Sequence, residues 1–225
     1  MLTSRVTPGN RSVFQNQLNN RKFSSEKLIG IVMCMDSSPN AREKILSTAG
    51  SLFYREGIHT TGVERIAQEA GVSKRTMYQH FPSKTQLVEQ YLRGIHDTGG
   101  MPNEKALDAG GLSPRNRLLA IFDGTPTDRF RGCPFHNAAV EAADDMPGVH
   151  DVVHEHKLQF IARLTEVAGE AGAKDPYQLG HQLAVLFEGA TSLATSLNDT
   201  APLLHARSAA EVLIDAAVRQ HALSR

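Results

Sequence analysis

The sequence predicts an all-α fold: an N-terminal three-helix unit with a helix-turn-helix inside it, followed by a longer helical half. Three observations carry this. Apolar residues recur three and four apart through most of the chain, few runs alternate as a half-buried strand would, and the helical stretches are bounded by capping residues, Pro starts and Gly stops.

The elements follow in order. Residues 1–38 are rich in Asn, Gln, Ser and Arg without a sustained apolar period, so a disordered basic tail is expected there. From Ala41, the residues Ile45, Leu46, Ala49, Leu52 and Phe53 mark a first amphipathic helix, with Gly57 as its stop. In "TTGVERIAQEAGV", Thr61 and Glu64 have capping-box spacing, which predicts a second helix starting near Gly62, burying Val63, Ile66 and Ala67 and stopping at Gly71. Ser73 then caps a third helix of under three turns, Lys74 to about Phe81, which Pro82 ends. Two helices joined at a Gly turn are the helix-turn-helix arrangement. Ser83 opens a longer helix, "KTQLVEQYLRGIH", and the Gly-rich residues 98–112 read as a connector with one turn of helix. Beyond it, Ser113 and Pro114 open "RNRLLAIFDG", Pro134 opens "FHNAAVEAADD", and a long helix runs from Pro147 to Gly169 or Gly172. Asp175 and Pro176 start "YQLGHQLAVLFEGATSLATSLN", and "LLHARSAAEVLIDAAVRQHAL" closes the chain.

Composition narrows the function classes. The 225 residues carry no net charge, but the distribution is uneven: five basic and one acidic side chain in 1–35, seven and six in 36–92, twelve and seventeen beyond. Any nucleic-acid binding must therefore be local. No stretch approaches the roughly 18 apolar residues of a membrane helix, so no membrane association is expected. The run "LIGIVMCM" at 28–35 follows basic residues but lacks a small-x-small cleavage site, so export is not expected either. The two cysteines, Cys34 and Cys133, have no CxxC or Cys/His ligand spacing, which fits a reduced cytoplasm.

The third helix carries the most specific chemistry. Val72, Met77 and Phe81 can point into a small core, which leaves Lys74, Arg75, Thr76, Tyr78 and His80 on the polar side. Lys74 or Arg75 can donate to guanine O6 and N7, Thr76 offers a methyl to thymine, and Tyr78, His80 and Lys84 can reach phosphate oxygens. Specificity is assigned chiefly to Lys74 and Arg75. A solvated polar face is the competing reading of any one short basic helix.

The stretch from Ala41 to Leu92 resembles the DNA-binding domain of the TetR family of transcriptional regulators along its full length. The resemblance rests on the "A…LF…G" first helix, "TTGVERIA.EAGVSK", "T.Y.HF" and "SK..L". It implies that Lys74, Arg75, Thr76, Tyr78 and His80 face DNA, that Lys84 binds backbone phosphate, and that Thr61 caps the second helix near a phosphate; Ser73, the cap read above from the sequence, is counted with them in the DNA-binding set. The sequence departs from the family at Arg75, where a small residue is frequent, and at Gly62, where Ser or Thr is frequent. An added base contact and a lost phosphate hydroxyl are the respective expectations. The implied division is a tail at 1–38, a DNA-binding domain at 39–99 and a C-terminal ligand-binding and dimerisation domain at 100–225.

In that C-terminal domain the apolar faces of the last two helices predict a homodimer interface of Leu179, Leu183, Leu186, Phe187, Ala190 and Leu193 with Val212, Leu213 and Ala216. Burial within one monomer is the competing reading. A two-fold dimer would present two recognition helices about one DNA turn apart to a palindromic operator on double-stranded DNA. The family resemblance also implies a small-molecule effector. Phe122, Phe130, Phe135, Phe160 and Leu164 are the candidate contacts, with plain core as their alternative role. No cofactor or metal is expected. His150, His154 and His156 near Glu155 could mark a metal-dependent hydrolase, but His156 falls on another helix face and exposed positions are expected for all three. Cys133, near a helix start, is a conceivable redox sensor, with an inert buried thiol as the commoner case. The reading is a cytoplasmic, ligand-responsive repressor without catalytic activity, and the rivals are an effector-free architectural DNA-binding protein and the hydrolase.

Overall fold

Why helix α1, Ala41–Glu56, begins where it does is set by Asn40. Its side chain accepts the Glu43 N–H at 3.0 Å while the Glu43 carboxylate accepts the Asn40 N–H at 3.0 Å, a complete capping box. The computed structural model describes residues 39–123, 130–142 and 145–222, so the basic tail and Cys34 fall outside the described residues.

Helices α2 (Val63–Glu69), α3 (Lys74–His80) and α4 (Lys84–Asp97) follow. A short 3-10 turn at Glu104–Asp108 occupies the predicted connector. Then come α5 (Pro114–Ala120), α6 (Pro134–Ala142), α7 (Pro147–Glu170), α8 (Pro176–Leu197) and α9 (Ala201–Ala222). The expected caps are in place: the side chains of Ser73, Ser83, Ser113 and Asp175 each accept a backbone N–H three residues on. Helix α5 is shorter than its apolar run predicted, because Ile121 and Phe122 leave the helix and sink into the core. No strand occurs among the described residues.

Thr61 corrects the sequence reading. Gly62, which has no side chain to offer, is the N-cap of α2. Thr61 is fully buried, and its hydroxyl donates to the Gly57 carbonyl at 2.7 Å. The chain reverses at Gly57, with φ of +99° and ψ of 154°, and its carbonyl takes the Thr61 hydroxyl as partner.

Two apolar cores lie end to end. The first is built by α1 to α4 together with Phe135 and Ala138 of α6 and Val149, Val152 and Val153 at the start of α7. The second joins α5, the later part of α7 from Phe160 onward, α8 and α9. Helix α7 thus runs through both, and the seam crosses it between Val153 and Phe160. Helices α7 and α8 approach closely at Gly180, where an added Cβ would stand 2.9 Å from the Thr165 backbone.

Polar groups fill the seam. The His156 ring stacks on Phe135 with centroids 3.5 Å apart, its Nε2 lies 3.3 Å from Glu104 Oε1, and its Nδ1 lies 3.4 Å from His96 Nδ1. Glu104 and His156 are only 1% and 2% exposed, so the exposed position expected for His156 is overturned. Two apolar neighbours, Val153 and Phe160, turn the same face of α7 inward and carry His156 with them.

Candidate nucleic-acid interface

Helix α3 is held from beneath and open above. Met77 and Phe81 are buried against Ile66 and Ala67 of α2 and the apolar face of α1, which fixes how the helix lies. The turn into it uses Gly71 at φ of +67° and the bond from Val72 N–H to the Ala67 carbonyl at 3.0 Å. Lys74, Arg75, Tyr78 and His80 are all exposed on its outer side. Thr76 is half-buried, with its hydroxyl 2.8 Å from Ser73 Oγ. A rigid underside and a polar, partly aromatic outer face are what groove entry requires.

The free cations are fewer than the sequence implied. The Lys74 ammonium pairs with the Glu64 carboxylate across the turn; this hydrogen bond holds the lysine above its usual range and the glutamate below its own. Nothing in the spacing of residues 64 and 74 announces that pair, because it forms between two helices rather than along one face. Arg65 is likewise tied to Glu56 and Glu69. Lys84, at the start of α4, is half-buried and donates to the His59 carbonyl at 3.4 Å. Burial lowers its pKa, and the nearby Glu141 carboxylate opposes the shift. His80 borders a shallow depression of about 410 Å³ with Arg42, Gln86 and Gln90, and the Arg42 guanidinium sits 5.3 Å over the Phe81 ring.

The effector candidates divide between the two cores. Phe122, Phe160 and Leu164 share the second core, with Phe130 packed at its edge, and Phe122 and Phe160 both meet Phe187. Phe135 belongs to the first core and stacks on His156 instead. The histidines also separate: His150 and His154 are exposed and stack on each other, while His156 points into the seam. Among the described residues no three metal-ligating side chains converge. Cys133 is buried, and burial raises its thiol pKa despite the Lys157 ammonium 3.5 Å away. A protonated, enclosed thiol fits the inert reading.

The predicted dimer set splits as well. Leu179, Leu183, Phe187 and Ala190 are buried in the chain's own core, and Leu186 and Leu213 pack against it, because α8 lies between α7 and α9 and spends its broad apolar face on them. Leu193, Val212 and Ala216 are exposed. They belong to two rows of four-residue spacing that periodicity did not single out: Val185, Gly189, Leu193 and Leu197 on α8, and Leu204, Ser208, Val212 and Ala216 on α9, all exposed.

Comparison with known proteins decides what this arrangement belongs to. Residues 45–91 match the family described as bacterial regulatory proteins, tetR family, and residues 116–210 match the tetracyclin repressor-like C-terminal domain. A crystallised TetR transcriptional regulator from Streptomyces avermitilis is 34% identical, with a TM-score of 0.68 over 80% of this chain and 98% of its own. The chain belongs to the TetR family. A TetR-family regulator from Streptomyces coelicolor, SCO4454, is 32% identical with a TM-score of 0.69, covering 79% of this chain and 96% of that one. The transcriptional regulator LmrA of Bacillus subtilis is 25% identical over 75% of this chain and 94% of its own length. The repressor KstR2 of Rhodococcus jostii is 31% identical over 60% and 66%. This TetR protein is thus a DNA-binding transcriptional regulator, with α2 and α3 as its helix-turn-helix. No described helix is long and apolar enough to cross a membrane.

Proposed function

We propose that this TetR regulator is a homodimeric cytoplasmic repressor that reads a palindromic operator through α3 and releases it when a small molecule binds the C-terminal helices. The observation that carries the DNA reading is the division of α3 into a buried Met77 underside and an exposed Lys74, Arg75, Tyr78 and His80 face. Arg75 reads a base edge in the major groove, while Tyr78, His80 and Lys84 take phosphates and Ser73 holds the start of the helix. Lys74 joins them only by exchanging Glu64 for DNA. Thr61 is left out, since its buried hydroxyl serves Gly57.

The exposed rows on α8 and α9 support the dimer: two ridges of four-residue spacing can interdigitate with their symmetry mates. For the effector, the aromatic cluster of Phe122, Phe160 and Phe187 with Phe130 at its edge favours a partly apolar ligand. Binding that favours a dimer with the wrong spacing of its recognition helices would release DNA by population shift. No catalytic step is part of this reading, and the relatives compared above are all regulators.

Selection of genomic fragments by the purified protein at moderate salt tests it. Enrichment of one palindrome is expected. Retention of many unrelated fragments with similar affinity would favour the architectural rival, whose binding energy comes from phosphates alone.

A further inference from the structure

We propose that Glu141, on α6, is the residue that positions the DNA-binding helices on the C-terminal half. Its Oε2 accepts the backbone N–H of Ile58 at 2.6 Å and of His59 at 3.1 Å, two successive donors in the loop between α1 and α2. Two adjacent amides aimed at one carboxylate oxygen form a small anion seat, and the charge on the acceptor strengthens both bonds. A return bond runs from the His59 ring, whose Nε2 donates to the Glu141 backbone carbonyl. Gly57 makes the approach possible. At φ of +99° the position disfavours a side chain, and a Cβ there would stand 3.0 Å from Glu141 Oε2.

The same loop governs the DNA-facing elements. It leads directly into α2, whose buried face carries α3, and its His59 carbonyl receives the Lys84 ammonium at the start of α4. Upstream of α6 a second set of bonds grips the end of α1: the Tyr54 hydroxyl donates to the Gly132 carbonyl at 3.2 Å, and Arg131 Nε donates to the Tyr54 carbonyl at 3.3 Å. Asn137 of α6 donates to the Arg131 carbonyl at 2.8 Å, which ties this grip to the helix. Phe130, next in the chain, packs on the second core. A continuous covalent segment therefore joins the second core to the loop, and Glu141 is its polar terminus. Loosening Glu141 frees the loop, and with it the relative placement of α2 and α3 that a two-site operator demands.

Two variants of the full-length protein separate positioning from charge. Glu141→Gln and Glu141→Ala both remove the carboxylate charge beside Lys84, but only Ala removes the acceptor. Amide hydrogen exchange across residues 57–61 is read beside affinity for the selected palindrome and for a scrambled duplex of equal length. In Glu141→Ala the loop should exchange about tenfold faster, and palindrome affinity should fall about fivefold or more, with the scrambled duplex nearly unchanged. Glu141→Gln should keep most of the affinity. Equal losses in Gln and Ala would mean that charge alone matters and would overturn the proposal, as would equal losses on both duplexes. Wild-type exchange of the loop in Glu141→Ala overturns it whether or not a palindrome has been found.

Discussion

At the residue scale, the contrast between Arg75 and Lys74 decides how DNA reading is tested. Both are exposed, but Lys74 rests in an ion pair with Glu64, and an exposed pair of this kind is nearly neutral in stability. DNA phosphate can therefore displace it at little cost. Arg75→Ala should weaken operator binding by about 1–3 kcal/mol and leave random DNA almost unaffected, as fluorescence anisotropy on the two duplexes would report. Equal weakening of both would assign Arg75 to phosphate. The buried pair in the seam makes a different prediction. His156→Leu leaves the buried Glu104 side chain with only the Met101 N–H on its Oε2 and no partner for Oε1, and should lower stability in urea by about 2 kcal/mol. Adding Glu104→Leu should recover part of that loss; additive losses would show that the two side chains are not coupled.

At the element scale, the helix boundaries were legible because caps are local: Ser73, Ser83, Ser113 and Asp175 lie within three residues of the amides they satisfy. The capping box was read at Thr61, yet the structure builds it at Asn40. Spacing could not tell the two apart, since the Thr61 hydroxyl is taken by the Gly57 carbonyl at the chain reversal. Asn40→Ala should accordingly destabilise the protein by about 1 kcal/mol, visible as a lower denaturation midpoint with an unchanged slope. An effect within error would mean that solvent replaces the cap without loss. For the candidate site, the inward and outward faces of α3 were legible from period alone. The partners of Lys74, Lys84 and Ile58 were not, because each lies on another element.

At the scale of the whole molecule, the two long C-terminal helices show what periodicity leaves open. It located broad apolar faces on α8 and α9, but the inner face serves α7 and the core, and the outer rows remain exposed, with Val185 at 74% and Val212 at 66%. If these rows form the proposed dimer interface, Val212→Asp should split that dimer in sedimentation analysis, since a charge would be buried in an apolar contact. An unchanged dimer would move the interface elsewhere. The first core draws on α6 and the beginning of α7 as well as α1 to α4, so residues on both sides of position 99 share it.

The sequence by itself determined the all-helical class, the order and approximate ends of the helices, the helix-turn-helix and the polar face of α3. All of these depend on neighbours within a few residues, where the helical repeat and the capping rules act. Tertiary structure alone decided that Thr61 is buried, that Glu64 holds Lys74, that a Glu104–His156 pair divides two cores, that Glu141 grips the α1–α2 loop and which rows of α8 and α9 stay exposed. Each of these depends on which surface a helix packs against, and packing brings together groups that are not neighbours along the chain.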